Sequence, residues 1–190
     1  MAIKKSNDNR YPNVFTHKLA DIPGGVAVKA SEIGVPVLRE GTPIGKDSNG
    51  LCHVVKQALV QANAADNATN IKIYKGHDFV VGTVVCAAEN GKAYAITAID
   101  RSNASYDQIT VSTTLGVALT ADTSVLYEAA SAGASGSALK YKPIALVGEN
   151  QNVDTADDLY CSAWTMGQIK GANALLGSVV KGYLSHINVI

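Results

Sequence analysis

The chain has 190 residues, enough for one domain with an insertion or for two small ones. Charged residues are 17%, below the roughly 25% usual in soluble proteins, while apolar residues reach 47%, so few charges hold neighbouring molecules apart. Lys plus Arg and Asp plus Glu are 16 each, and a formal net charge of zero argues against nucleic acid, which demands a basic excess.

Residues 1–20 read as a polar N-terminal arm with no sustained period. No apolar h-region follows Met1, and no run approaches 18 apolar residues, so neither a signal peptide nor a membrane partner is expected. Ile22-Pro23-Gly24-Gly25 marks a turn, and Val26-Ala27-Val28 starts a strand. Gly34 to Gly45 holds short apolar pairs between Gly and Pro, which suits brief strands. Asp47-Ser48-Asn49-Gly50 is a further turn. Residues 51–62 fit a helix by spacing and a strand by their Val54-Val55 pair, and the choice stays open.

Past the polar loop 63–70 the pattern becomes β. Ile71 to Lys75 alternates, Phe79 to Cys86 is a second strand-like run, and Asn90-Gly91 is a tight hairpin signal. Tyr94–Ile99, Gln108–Ser112 and Val125–Tyr127 continue the series at a spacing that predicts a small antiparallel barrel or sandwich. Residues 131–137 have the composition of a flexible hinge. Strands are expected at Lys142–Val147 and Leu159–Trp164, with a short helix around 172–184. The expected fold is all-β: a body formed by 21–68 and 136–190, with a β module inserted over 69–135.

Gly41 to Lys46 has the wrong spacing for a phosphate loop, and Asp47 stands where a hydroxyl is required. His17, His53, His77 and His186 form no metal-type pair. Cys52 and His53 are adjacent, so a strand would turn them to opposite sides. Cys52, Cys86 and Cys161 read as reduced, mostly buried thiols of a protein made in a cytosol. His77-Asp78 with Ser102, Ser105 or Ser112 makes a triad only on paper, lacking a nucleophile elbow. Asp154, Asp157 and Asp158 lack the calcium-loop pattern and read as a solvated turn. No catalytic, cofactor-binding or metal-ligating residue is assigned, no cofactor is expected, and the chain reads as a non-enzyme.

Two stretches carry a resemblance. One is Val37-Leu38-Arg39-Glu40-Gly41-Thr42-Pro43-Ile44-Gly45. The other is Lys142-Pro143-Ile144-Ala145-Leu146-Val147-Gly148, then Val153-Asp154, then Leu159 to Ile169. Their order resembles the lambda-type head decoration proteins of tailed phages, with the Gly of Ala145-Leu146-Val147-Gly148 displaced from the family's phrase. The central strands, Phe79–Thr83, Ile96–Asp100 and Tyr106–Val111, are similar to β modules of phage head fibre proteins. The resemblance implies a structural virion protein on the outer surface of a capsid, made in the host cytoplasm. Its implied partners are the major capsid protein and further copies of itself in a homotrimer. The alternatives are the base of a head fibre, or a carbohydrate-binding module that meets host-surface glycans through Trp164, Tyr94 and Tyr106.

Overall fold

The computed structural model describes residues 11–190. Its strands, in chain order, are β1 (Phe15–Asp21), β2 (Val26–Val28), β3 (Val37–Leu38), β4 (Pro43–Lys46), β5 (Cys52–Val54), β6 (Gln57–Leu59), β7 (Asn70–Tyr74) and β8 (Val84–Cys86). Then follow β9 (Ala93–Asp100), β10 (Tyr106–Val111), β11 (Val125–Glu128), β12 (Pro143–Val147), β13 (Gln151–Asn152), β14 (Leu159–Cys161), β15 (Ala163–Ile169) and β16 (Ile187–Val189). One short helix, α1 (Ser178–Tyr183), precedes the last strand. The fold is all-β, as the alternation and turn signals predict.

Both larger sheets curl until they close. In the first, β14 pairs β2, and the path continues through β5, β4 and β12 to β15. Only Ser162 separates β14 from β15, so the ladder returns to its start as a small barrel. Its interior holds Val28, Ile44, Cys52, Ala145, Val147, Cys161 and Ala163. Gly45 lets β4 lie close on β12, since a Cβ there would meet the carbonyl of Lys142. The second sheet runs β6-β11-β8-β9-β10-β7, and a bridge from Val60 to Ile73 joins its two ends. Its core includes Ile71, Ile73, Phe79, Val85, Ile96, Ile109 and Leu126. Period-two alternation builds this core directly, since Ile71 and Ile73 of β7 point inward while Asn70 and Tyr74 face water.

The chain crosses from the first barrel to the second at Val55-Lys56 and returns after β11. The ambiguous stretch 51–62 is therefore two strands, β5 and β6, one in each barrel. The insert boundary expected at 69 falls inside the six-stranded sheet, which begins at Gln57. A third apolar cluster joins the barrels: Val14, Leu146 and Ile169 from one side, Cys86, Val125 and Tyr127 from the other, and Leu176, Val180, Leu184 and Ile187 from the tail.

Three expectations are corrected. The arm over 1–20 does not extend through residue 20: Phe15–Asp21 is a strand along β15, and residues 1–10 lie outside the described residues. Its outward side chains give it a polar look. Phe79–Thr83 is a turn and not strand, with Gly82 at φ 93° and the Val80 amide donating to the Thr83 hydroxyl at 3.1 Å. The Gly/Ser stretch 131–137 is pinned, because Gly133 and Ala93 exchange backbone hydrogen bonds of 2.8 and 2.9 Å.

Two glycines test this packing. Gly45→Ala must move the Lys142 backbone and is expected to lose about 1–3 kcal/mol in urea unfolding. Gly182→Ala, in α1 with open space around it, should be neutral or gain up to about 1 kcal/mol.

Candidate functional site

Two buried histidine clusters are the densest polar chemistry among the described residues. His53, on β5, has its Nδ1 2.8 Å from Glu32 Oε2 and its Nε2 3.5 Å from Asp47 Oδ2. Its ring stacks on Tyr141 at 4.0 Å. Cys52 packs inside the barrel core, so the two neighbours do face opposite ways. Burial pushes the Glu32 carboxyl up, but the hydrogen bond and charge of His53, with Lys140 and Lys56, hold it below its ordinary value. The arrangement brings the turn at 30–32 and the turn at 47–51 onto β5, with Nδ1 hydrogen-bonded to Glu32 and Nε2 buried near Asp47 without a hydrogen bond of its own.

The second cluster centres on Asp107. It sits on the inward register of β10 with Ile109 and Val111, and its side chain is only 2% exposed. His77 Nε2 lies 3.1 Å from Asp107 Oδ2, Arg101 donates to the same oxygen at 3.2 Å, and Lys75 holds the other oxygen. The Phe79 amide donates to His77 Nδ1 at 3.1 Å, which fixes the neutral tautomer with its proton on Nε2. Burial, aided by Arg101, pushes the His77 imidazole below its ordinary value against the pull of Asp107. Burial raises the Asp107 carboxyl, and the Lys75 hydrogen bond and neighbouring positive charges outweigh it, leaving a net depression.

The paper triad is not assembled. His77 pairs with Asp107 rather than Asp78, whose carboxylate accepts the Gly34 amide at 2.8 Å, while Ser102, Ser105 and Ser112 are exposed. The alternation at Gln108–Ser112 does not by itself reach Asp107; the strand begins at Tyr106, which puts Asp107 on the face of Ile109. The three thiols are buried, and burial raises all of them, Cys161 to about 12, so they stay protonated at neutral pH. Among the described residues no cluster of metal-ligating side chains occurs, and Asp154 spends an oxygen on the Ala156 amide. Trp164 stands on β15, beneath Lys18 and 6.4 Å from Phe15, whereas Tyr94 and Tyr106 belong to the other barrel. The three aromatics share no face.

The accessible features are surfaces. An open groove of about 920 Å³ runs between the loop 115–125 and the tail, floored by Leu59, Leu115, Leu119, Val125 and Leu176. A second apolar patch, around Leu19 and Met166 and flanked by His17 and His186, lies where β1, β15 and β16 extend outside the first barrel. Leu19 is 68% exposed. β1 has a strand neighbour on one side only among the described residues, and its pairing with β15 shifts register three times. Such bulges guard an edge against strand addition, so contacts here fall to side chains. The chain matches no protein-family model, no curated protein and no solved structure.

The clusters predict a pH response. His77, depressed in the folded state, favours folding above its unfolded pKa and loses that contribution as pH falls below about 6.5. Asp107, also depressed, adds a further loss below about pH 4. The urea midpoint should therefore fall between pH 7 and 5, and His77→Gln, which keeps a donor and an acceptor, should flatten that fall. Asp107→Asn should cost about 2 kcal/mol at pH 7, less than for a dry ion pair because Lys75 and Arg101 keep contact with water.

Proposed function

We propose that this chain is a structural virion protein that binds the outer surface of a phage capsid lattice, stabilises or decorates it, and acts as a homotrimer without catalysis. The sequence resemblance supplies the class. The observation that carries the reading to a surface is the flap of β1, β15 and β16, with Leu19 and Met166 exposed beside each other outside the closed barrel. Scattered exposed apolar residues need no explanation, but two set side by side on a strand flap support a contact there. Lys18 holds the flap in place, pairing with Glu40 at 3.0 Å and donating to the Gly148 carbonyl. Residues 1–10 precede this flap in the sequence, with Lys4, Lys5 and Arg10 as their cations. The expected partner face on the capsid protein is apolar with an acidic margin.

Two closed barrels with little charge suit a role in which the protein adds contacts across a lattice and turns nothing over. Stabilisation then follows from mass action. A ligand that binds only the intact shell lowers that state by RT ln(1 + [L]/Kd), about 2.7 kcal/mol per site at a hundredfold excess over Kd. Many sites per shell multiply a modest affinity.

The test strips the protein from particles and measures the temperature of genome release before and after adding it back. Coated particles should rupture at a higher temperature, and equal temperatures would refute a stabilising role. Leu19→Asp with Met166→Asp should weaken shell binding by roughly tenfold or more with unchanged far-UV circular dichroism, since both residues are exposed.

A further inference from the structure

Self-association needs surfaces, and this chain carries a matched, non-overlapping pair. We propose that the groove between the loop 115–125 and the tail receives the Asp154–Tyr160 turn of a second copy, joining copies head to tail. The inference deepens the homotrimer reading above and rests on it.

The groove offers an apolar floor with a cationic rim. Lys92 and Lys181 both line it, both are exposed, and neither makes an ion pair among the described residues. The one carboxylate in the lining, Asp122, accepts the Tyr74 hydroxyl at 2.6 Å. Val117 is 45% exposed and Leu175 37%, and both line the groove. Large apolar side chains left open beside unpaired cations fit an apolar group that brings carboxylates with it.

The turn is such a group. Residues 154–158 are all exposed, and Asp157 and Asp158 have no ion-pair partner among the described residues. Two positions beyond Asp158, Tyr160 is 65% exposed, a large side chain with an apolar body and a polar tip. Strand pairings anchor the turn on both sides, β13 on β3 before it and β14 on β2 after it. No residue from 149 to 161 lines the groove, so one chain presents both surfaces at once. The chain's own first ten residues are the wrong occupant by charge, since Lys4, Lys5 and Arg10 outnumber Asp8 and would meet Lys92 and Lys181.

Rim charge pairs contribute little affinity and mainly set partner and register, while the burial of Tyr160 against the groove floor supplies the holding force. A contact between two different surfaces closes into a ring or grows as an open chain. Closure at three is the count the homotrimer requires.

Sedimentation of purified protein tests this with four variants. Lys92→Glu with Lys181→Glu disables the groove, and Asp157→Lys with Asp158→Lys disables the turn. Each should be monomeric where the wild type is a trimer. Mixed one to one, they should associate again and grow beyond a dimer, because each variant's groove is complementary in charge to the other's turn. The four changes combined in one chain restore complementarity and should restore the trimer. Tyr160→Ala should weaken association by at least roughly tenfold. Thermal unfolding of each variant checks that the body is intact. A wild type that is monomeric at all concentrations, or disabled variants that still assemble, overturns the head-to-tail contact. So does a groove variant that keeps its mass but no longer binds shells, which would give the groove to the capsid protein. Shell binding by the wild type is read separately, so failure of the capsid reading itself would show there.

Discussion

The apolar cluster shared by the two barrels is the constraint on which the rest of the molecule depends. A small closed barrel has room for few side chains: the first is filled mainly by Val, Ala, Ile and Cys with Leu38, and the second by Val and Ile with Phe79, Leu115, Leu119 and Leu126. Neither barrel closes with its whole surface satisfied. Leu146 and Ile169 project from one barrel, Val125 and Tyr127 from the other, and the tail residues Leu176, Val180, Leu184 and Ile187 fill the space between. Each fully buried aliphatic chain contributes about 1.5–3 kcal/mol of transfer free energy, so this cluster weighs as much as either barrel interior. Tyr127 is the pivot. It is 1% exposed, its hydroxyl accepts the Val179 amide, and a Cβ at Gly177 would strike that hydroxyl. Gln57 adds a polar clasp, receiving the Gly177 amide at 3.0 Å and donating to the Leu175 carbonyl.

The buried charges serve the same end. His53 gathers two turns onto β5, and Asp107 draws Lys75, His77 and Arg101 to one end of the second barrel. Both His77 nitrogens and His53 Nδ1 are spent on protein groups, while His53 Nε2 is buried 3.5 Å from Asp47 without a hydrogen bond. Their chemistry is that of fasteners, and it leaves the exterior to mediate contact. The outward flap of the first barrel and the groove beside the second are then separate surfaces on one body, as the proposed lattice binding and joining of copies would require.

Much of the architecture is legible in the sequence where the signal is local. The alternation of Ile71 and Ile73 and the turns at 22–25 and 47–50 stand as read, whereas Asn90-Gly91, with Asn90 at φ 63°, lies in a longer connection over 87–92, since Cys86 pairs with Ala93, and is not a tight two-residue turn. What depends on distant partners is not legible. The split of 51–62 at Val55-Lys56 follows from each half closing a different barrel, and no local pattern records that. β1 hides among polar residues because His17, Lys18 and Leu19 all face water. Residues 131–137 look like a hinge by composition, and what pins them is distant in sequence: Gly133 bridges to Ala93 of β9, and the Ser137 hydroxyl donates to the Ala88 carbonyl. The two surfaces have no sequence signature for a related reason, since a groove formed by 115–125 and 171–181 is not contiguous in the chain.

The central physical claim is that the shared cluster makes both barrels one cooperative body. The three buried thiols report on it directly: Cys52 and Cys161 sit inside the first barrel, and Cys86 sits on β8 of the second, in the shared cluster. Pulsed thiol labelling across a urea series, resolved cysteine by cysteine by mass spectrometry, measures when each opens. The account predicts that all three become reactive at the same urea concentration. Labelling of Cys86 at a clearly lower concentration than Cys52 and Cys161 would contradict it, and would mean two barrels that merely touch.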